Sequence, residues 1–319
     1  MADSGNQRLE EVQAELRRLN EGDRDVYMLT AARGLLEVVE GFVDRVCTGV
    51  EVNGPADFST SLILRCIAKK TQESLSTIVG LAEREQGYYA MALLRPTCEE
   101  LIFARFLKTL PREDASKYIG YRIMLDLYEG LLAQRNFFDE AQEKFSIEES
   151  WRGEPHSGEI QDLPTKVVEQ KDELRKFGSR HSWGSRPSPS VKQMAERTDS
   201  LAEYEFFYHA ASNAVHANLH HMGRMVWKNF DKGVVSITNK NFDAYYRAFV
   251  LTYGVWLTHE VMSEVMEEFP DQWREEDRDI YATWLGALIV PAISLRRPPI
   301  VTTEELWWPR EQTSSTGGG

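Results

Sequence analysis

The chain has 319 residues, with 42% hydrophobic and 27% charged side chains and a formal charge of −13. That length buries a large core in one or two domains, and the composition is that of an ordinary soluble globular protein. The acidic balance excludes broad, sequence-independent binding to duplex nucleic acid, which needs clustered Lys and Arg. Residues 284–295 form the longest apolar run, which contains Pro291 and falls short of the roughly 18 residues of a membrane span. Cys47, Cys66 and Cys98 are odd in number and widely spaced, which is not a disulfide framework. Each sits in an apolar helical pattern and reads as a small hydrophobe. With no charged-then-apolar leader at the N-terminus, a reducing cytoplasm is the expected setting.

Helical periodicity runs through the chain. Leu9, Val12, Leu16 and Leu19 make a narrow seam, that of an accessory or docking helix. A second helix is expected over residues 23–46, and residues 49–58, with Gly54-Pro55, read as a loop. Asp57 or Ser59 caps the next helix, which carries Ile63, Ile67, Ile78 and Leu81. Gly87 punctuates the pattern. Residues 88–110 then read as helix, interrupted at Pro96, and residues 115–145 as another.

Residues 146–164 are poor in apolar side chains and read as loop. Residues 165–177 form a helix with Gly178 as its stop. A loop over 179–190 leads to a short helix at 191–197 and a longer one at 200–227. Residues 234–238 have strand character and pair with 227–230 as a small hairpin. Helices follow near 242–268 and 275–295, and then a tail with Trp307 and Trp308 beside Pro309. The expected fold is all-α: a multi-helix bundle with an N-terminal accessory helix and at most a small β-hairpin. Residues 1–56 hold the N-terminal helices. Residues 57–295 hold the bundle core, with a loop-rich insert at 146–190, and 296–319 form the tail.

The helix at 200–227 concentrates the polar candidates. Glu205, His209, Ser212 and His216 are spaced by four, three and four, which stacks them on one helix face. An apolar line of Tyr204, Tyr208, Ala211, Val215, Leu219, Met222 and Val226 lies about 100° around the helix and is the expected buried face. His209, His216, His220 and Glu205 raise a metal reading. The His-Glu-x-x-His and di-iron Glu-x-x-His patterns are absent, however, so neither a metal nor a cofactor is expected. Ser212 one turn before His216 raises an acid–base reading. A half-buried polar network that fixes helix packing is the competing one.

Residues 93–101 hold a second polar cluster among apolar segments. Arg95 and Glu99 are one turn apart, and Thr97 and Glu100 have capping-box spacing around Pro96. The run is either a helix restarting at Thr97 or one helix kinked at Pro96. Buried charges need partners, and the helix carrying His216 is the expected source. Residues 166–197 carry eight basic against four acidic side chains, with His181 and Trp183 among them. That pattern fits either a phosphate or single-strand contact or a solvated loop. No phosphate loop, nucleotide fingerprint, kinase signature or nucleophile elbow is present.

The run Ala-Leu-Leu-Arg-Pro-Thr-Cys-Glu-Glu at 92–100 and the Tyr-x-x-x-Ser-x-x-Val-His run at 208–216 together resemble a bacterial all-helical family, domain of unknown function 5677, over residues 60–265. More distantly the chain resembles the HEPN superfamily of helical RNases and defence proteins. Active members there carry an Arg and a polar residue shortly before a His. Ser212-Asn213-Ala-Val-His216 keeps the polar residue and the His but has Ser212 where the Arg would stand. The resemblance implies two roles. One is a ligand- or partner-binding module of a bacterial stress or defence system, binding through Glu99, Glu100, His209, Asn213, Tyr208 and Trp183. The other is an RNase with His216, Ser212 and Arg95 as its catalytic set. It also implies a homodimer. A protein partner is expected through the N-terminal helix or Trp307 and Trp308. The net charge does not point to RNA, and no membrane association is expected.

Overall fold

The structure, a computed structural model, describes residues 21–48, 60–145, 162–215, 219–229, 234–272, 281, 298–303 and 305. Helices dominate them: α1 (Glu21–Cys47), α2 (Thr60–Glu83), α3 (Gly87–Lys108), α4 (Arg112–Phe145), α5 (Leu163–Arg180), α6 (Val191–Arg197), α7 (Leu201–Val215), α8 (Leu219–Met225) and α9 (Asp243–Glu268). Between α8 and α9 lies an antiparallel hairpin of β1 (Val226–Asn229) and β2 (Val234–Ile237), in register Val226↔Ile237 to Asn229↔Val234. The fold is all-α with that one small hairpin among the described residues. No helix among them is long and apolar enough to cross a membrane. The accessory helix near Leu9–Leu19, Trp307 and Trp308 lie outside the described residues. So do residues 275–295, Tyr281 excepted, and all but the last few residues of the 146–164 loop.

The described residues fall into two compact units. One is drawn from Met1–Gly49, Arg65–Leu101 and Ala202–Gly319, the other from Val50–Leu64 and Ile102–Leu201. In the first, α1 buries Met28, Ala31, Leu35, Val39, Phe42 and Val46, one side chain per turn along a single stripe. That stripe packs on α9, which is buried on nearly every face from Tyr246 to Val265. Side chains tie the helices at their edges. Arg33 pairs with Glu83 at 2.5 Å, and the Arg45 guanidinium donates to the Gln272 carbonyl at 3.2 Å.

In the second unit α4 packs on α5, and Phe106, Tyr118, Phe177 and Trp183 form its aromatic centre. Ser190 caps α6 with a reciprocal capping box to Gln193, and the helix buries Met194 and Ala195.

Two expectations about helix ends need correcting. Gly178 does not stop α5, which continues to Arg180. Glycine is required there because a β-carbon would enter the Trp183 ring. Pro96 does not break α3, so of the two readings left open there the single helix running past it holds. Thr97 does not start a capping box either, since its hydroxyl donates to the Leu93 carbonyl at 2.8 Å, the back-bond of a mid-helix threonine.

The helix expected at 200–227 is also different. Its described parts are α7 (Leu201–Val215) and α8 (Leu219–Met225), and Val226 already belongs to a strand, so the helix stops before 227. Asn241, in the 3₁₀ turn Asn239–Phe242, donates its carboxamide to the Arg224 and Met225 carbonyls at 3.2 and 3.0 Å. It thereby satisfies the end of α8, which is why the helix can stop there.

Candidate functional site

The polar cluster on α3 finds its partner on α7. Arg95 Nε donates to Glu99 Oε1 at 2.8 Å, and Nη1 reaches Ser212 Oγ at 3.4 Å. The guanidinium carbon lies 4.5 Å above the Tyr208 ring, and Tyr204 sits beside Tyr208 at 5.2 Å between centroids. Arg95 keeps 26% of its side-chain surface and Glu99 34%. The hydrogen bond to Glu99 raises the Arg95 pKa against the effect of burial. The guanidinium is therefore a fixed cation with an aromatic floor, partly open to solvent. Glu100 turns the other way and pairs with Lys70. Burial nevertheless raises its carboxyl above the usual range.

The remaining expected site residues do not all gather here. Glu205 and His209 lie in solvent. His216 and the Asn213 side chain are outside the described residues. Trp183 is 4% exposed inside the aromatic centre of the second unit, stacked with His181, and presents no open face to a base. His181 itself pairs with Asp114 at 3.2 Å. Among the described residues no group of three or more His, Cys, Asp or Glu side chains is placed to hold a metal ion.

From Leu219 onward the expected apolar face is turned outward instead. Leu219 is 85% exposed, and Met222 and Val226 are open as well, while His221 and Arg224 are 6% exposed. On α7 the expected line is mixed: Ala211 is buried, as are Phe207 and Ala210, whereas Tyr208 is exposed. This inversion on α8 follows from what covers it. Tyr88 of α3 stacks on the His221 ring, with centroids 4.0 Å apart and planes 10° apart. Tyr246 OH lies 3.0 Å from His221 Nδ1. Arg224 lies among the rings of Phe242, Tyr245 and Tyr246 and makes a bidentate pair with Glu305, at 2.5 Å to Oε1 and 2.7 Å to Oε2. His220 Nε2 adds a contact to Glu305 Oε1 at 2.8 Å. Sequence reasoning missed this cluster because its members lie far apart in the chain. The one local sign was Thr302-x-x-Glu305, a capping-box spacing whose glutamate accepts the Thr302 N–H at 2.7 Å.

Both buried arginine and glutamate stay charged. Burial opposes this, but the mutual hydrogen bonds outweigh it, holding Arg224 above and Glu305 below their ordinary values. His221 goes the other way. Burial, then the Arg224 charge, bring it down to about 4, and burial alone does the same to His259. The unfolded imidazole titrates at about 6.5.

Below that pH the unfolded chain takes up protons that the folded chain does not. The stability due to neutral His221 and His259 is therefore full above about pH 6.5 and drains away as pH falls towards 4. For His221 the loss is on the order of 3 kcal/mol across that window. Urea midpoints at pH 7, 5.5 and 4.5 should fall accordingly, and His221→Gln should flatten the slope. An unchanged slope in that variant would show that His221 titrates normally in the folded chain.

The model of a family of unknown function, DUF5677, matches residues 61–234, more than half of the chain. No curated protein and no solved structure matches.

Proposed function

The chain belongs to the DUF5677 family, whose description names no reaction, and we propose that it is a helical binding module that takes a small anionic ligand at the α3–α7 face. The observation that carries this reading is the meeting of Arg95 with Ser212 and Tyr208 across two helices. An arginine fork over an aromatic floor, with a hydroxyl beside it, suits a phosphate or carboxylate. Glu99 holds the guanidinium in place while the ligand is absent, and the ligand competes for it. The setting in a bacterial stress or defence system rests on the HEPN resemblance alone.

The test is calorimetric titration with inorganic phosphate, and with acetate as the carboxylate probe, at constant ionic strength. Wild type should bind at least one of them, and Arg95→Gln should weaken binding by about tenfold, the worth of one charge-assisted hydrogen bond. The melting temperature should change little, because a partly exposed i,i+4 ion pair contributes only about 0.5 kcal/mol. If neither anion binds, or if Arg95→Gln binds as well as wild type, the reading fails.

A second reading has its own support. In the HEPN-like pattern an arginine stands where this chain has Ser212, and Arg95 reaches that serine from α3. In this reading His216 is the general base or acid, Ser212 and Asn213 position a phosphate, and Arg95 stabilises charge. RNA cleavage by wild type that disappears in both His216→Ala and Arg95→Gln supports the RNase. Intact RNA in every lane, with and without divalent metal, removes it.

A further inference from the structure

Residues 298–302 lie along α9 with no helix or strand of their own, and helix begins at Thr303. What holds them is one-sided. Tyr253 OH donates to the Pro298 carbonyl at 3.0 Å, and Tyr245 OH donates to the Pro299 carbonyl at 2.6 Å and to that of Ile300 at 3.3 Å. Arg224 Nη2 donates to the Ile300 carbonyl at 2.6 Å. Three successive main-chain acceptors are thus met by side-chain donors on two helices. Tyr245 and Tyr253 are eight positions apart, so they lie on one face of α9. Phe249 lies between them, its ring 5.7 Å from Tyr245 and 4.6 Å from Tyr253. The segment runs antiparallel to α9, from the Tyr253 end to the Tyr245 end.

This pattern of donors selects a particular ligand chemistry. A groove that offers hydroxyl and guanidinium donors to carbonyls leaves any peptide N–H facing it in need of another partner. Proline has no N–H, so a Pro-Pro pair loses nothing there. Aromatic walls and outward carbonyls are also the means by which proline-rich segments are recognised in general. The acidic end adds register. Glu305 accepts from Arg224, His220 and the Thr302 N–H, so the glutamate must follow the prolines at a fixed distance, in a Thr-x-x-Glu helix start. Main-chain recognition, an aromatic wall and a single charge anchor require no covalent link between groove and segment.

We propose that Arg224, His220, Tyr245, Phe249 and Tyr253 form a peptide-recognition groove for a Pro-Pro-aliphatic segment followed by a Thr-x-x-Glu helix start, and that residues 298–303 with Glu305 are its in-chain occupant, exchanging with a like segment of a partner protein. The charge complementarity of Arg224 with a glutamate, the His220 contact to the same carboxylate, and the fit of donors to imide carbonyls identify that partner's chemistry. The groove uses none of the residues at the Arg95 face, so the two proposals stand or fall separately. An in-chain segment competes at an effective concentration on the order of millimolar. Partner binding is therefore weak until the Glu305 anchor is loosened.

The test uses the full chain and a fluorescein-labelled peptide, Pro-Pro-Ile-Val-Thr-Thr-Glu-Glu, read by anisotropy. Glu305→Gln should bind it about tenfold more tightly than wild type, because the in-chain glutamate no longer holds Arg224. Tyr245→Phe with Tyr253→Phe, added to Glu305→Gln, should lower that affinity by about tenfold, the worth of two hydroxyl donors. A peptide ending in Gln should lose about as much. Pro298→Ala supplies a second route, loosening the buried proline without touching the ion pair, in case Glu305→Gln does not fold cooperatively. Failure of the peptide to bind either folded variant at millimolar concentration overturns the groove. So does binding that is indifferent to the two hydroxyls or equal for a scrambled peptide.

Discussion

Arg224→Met should cost about 3–5 kcal/mol of stability, the largest loss expected from any single polar substitution in this chain. The magnitude follows from burial. Arg224 and Glu305 keep only 6% and 9% of their side-chain surface, so removing the cation leaves a carboxylate in the interior with little water to replace it. The Ile300 carbonyl loses the shorter of its two donors in the same step, keeping only Tyr245 OH at 3.3 Å, and the rings around the guanidinium lose their cation. Glu305→Met should cost a similar amount for the mirror-image reason. The double variant is the more telling. With both charges gone the methionines fill the space with apolar volume, and most of the loss should be recovered. Denaturant melts of the four proteins then give a coupling energy of several kcal/mol. Because the chain has two compact units, the melts need a near-ultraviolet and a far-ultraviolet signal that coincide before any single free energy is assigned. A loss below about 1 kcal/mol for either single variant would show the pair behaving as a surface ion pair.

The same pair shows where the sequence is and is not legible. Elements defined by local chemistry could be read directly. The α1 stripe repeats with the helical period, so residues 23–46 were expected and Glu21–Cys47 is found. The α6 helix is fixed by Ser190 and Gln193 three residues apart, and its limits agree with the sequence reading. The long central helix, expected near 242–268, is found as Asp243–Glu268.

Features decided by a distant side chain could not be read. Leu219 and Met222 looked like core because apolar residues at helical spacing usually are. What turned α8 over is Tyr88, more than 130 positions upstream, together with Tyr246 and Glu305 downstream. Gly178 looked like a helix stop because glycine usually is one, whereas its reason is the Trp183 ring. The Arg95 cluster lies between these cases. Its need for a partner was legible from a charge set among apolar residues, and that partner is supplied by Tyr208 and Ser212. Its chemistry is not legible in the same way, because the role of a half-exposed guanidinium depends on what approaches it.

Gly87→Ala and Gly80→Ala should move stability in opposite directions. At Gly80, inside α2, a β-carbon would meet nothing within 4 Å. Alanine there only removes conformational freedom from the unfolded chain and adds helix propensity, for a gain of about 0.5–1 kcal/mol. At Gly87, the first residue of α3, a β-carbon would lie 2.7 Å from the Arg247 nitrogen and 2.8 Å from the Tyr246 carbonyl carbon. Those atoms are the backbone of α9, which cannot swing aside as a side chain can. Either α3 or α9 has to shift, and overpacking of this kind costs about 1–3 kcal/mol or more. The shift would fall on two residues that matter, because Tyr88 follows Gly87 and stacks on His221, and Tyr246 holds His221 Nδ1. A displaced Tyr88 opens the imidazole to water and returns its pKa towards the ordinary value, so Gly87→Ala should also flatten the loss of stability between pH 6.5 and 4. Denaturant midpoints of both variants at pH 7 and pH 5 test the two effects together. Equal and small changes at both glycines would mean that α3 and α9 do not approach as closely as their backbones indicate. A large loss in Gly87→Ala with an unchanged pH slope would mean that the strain is absorbed away from Tyr88.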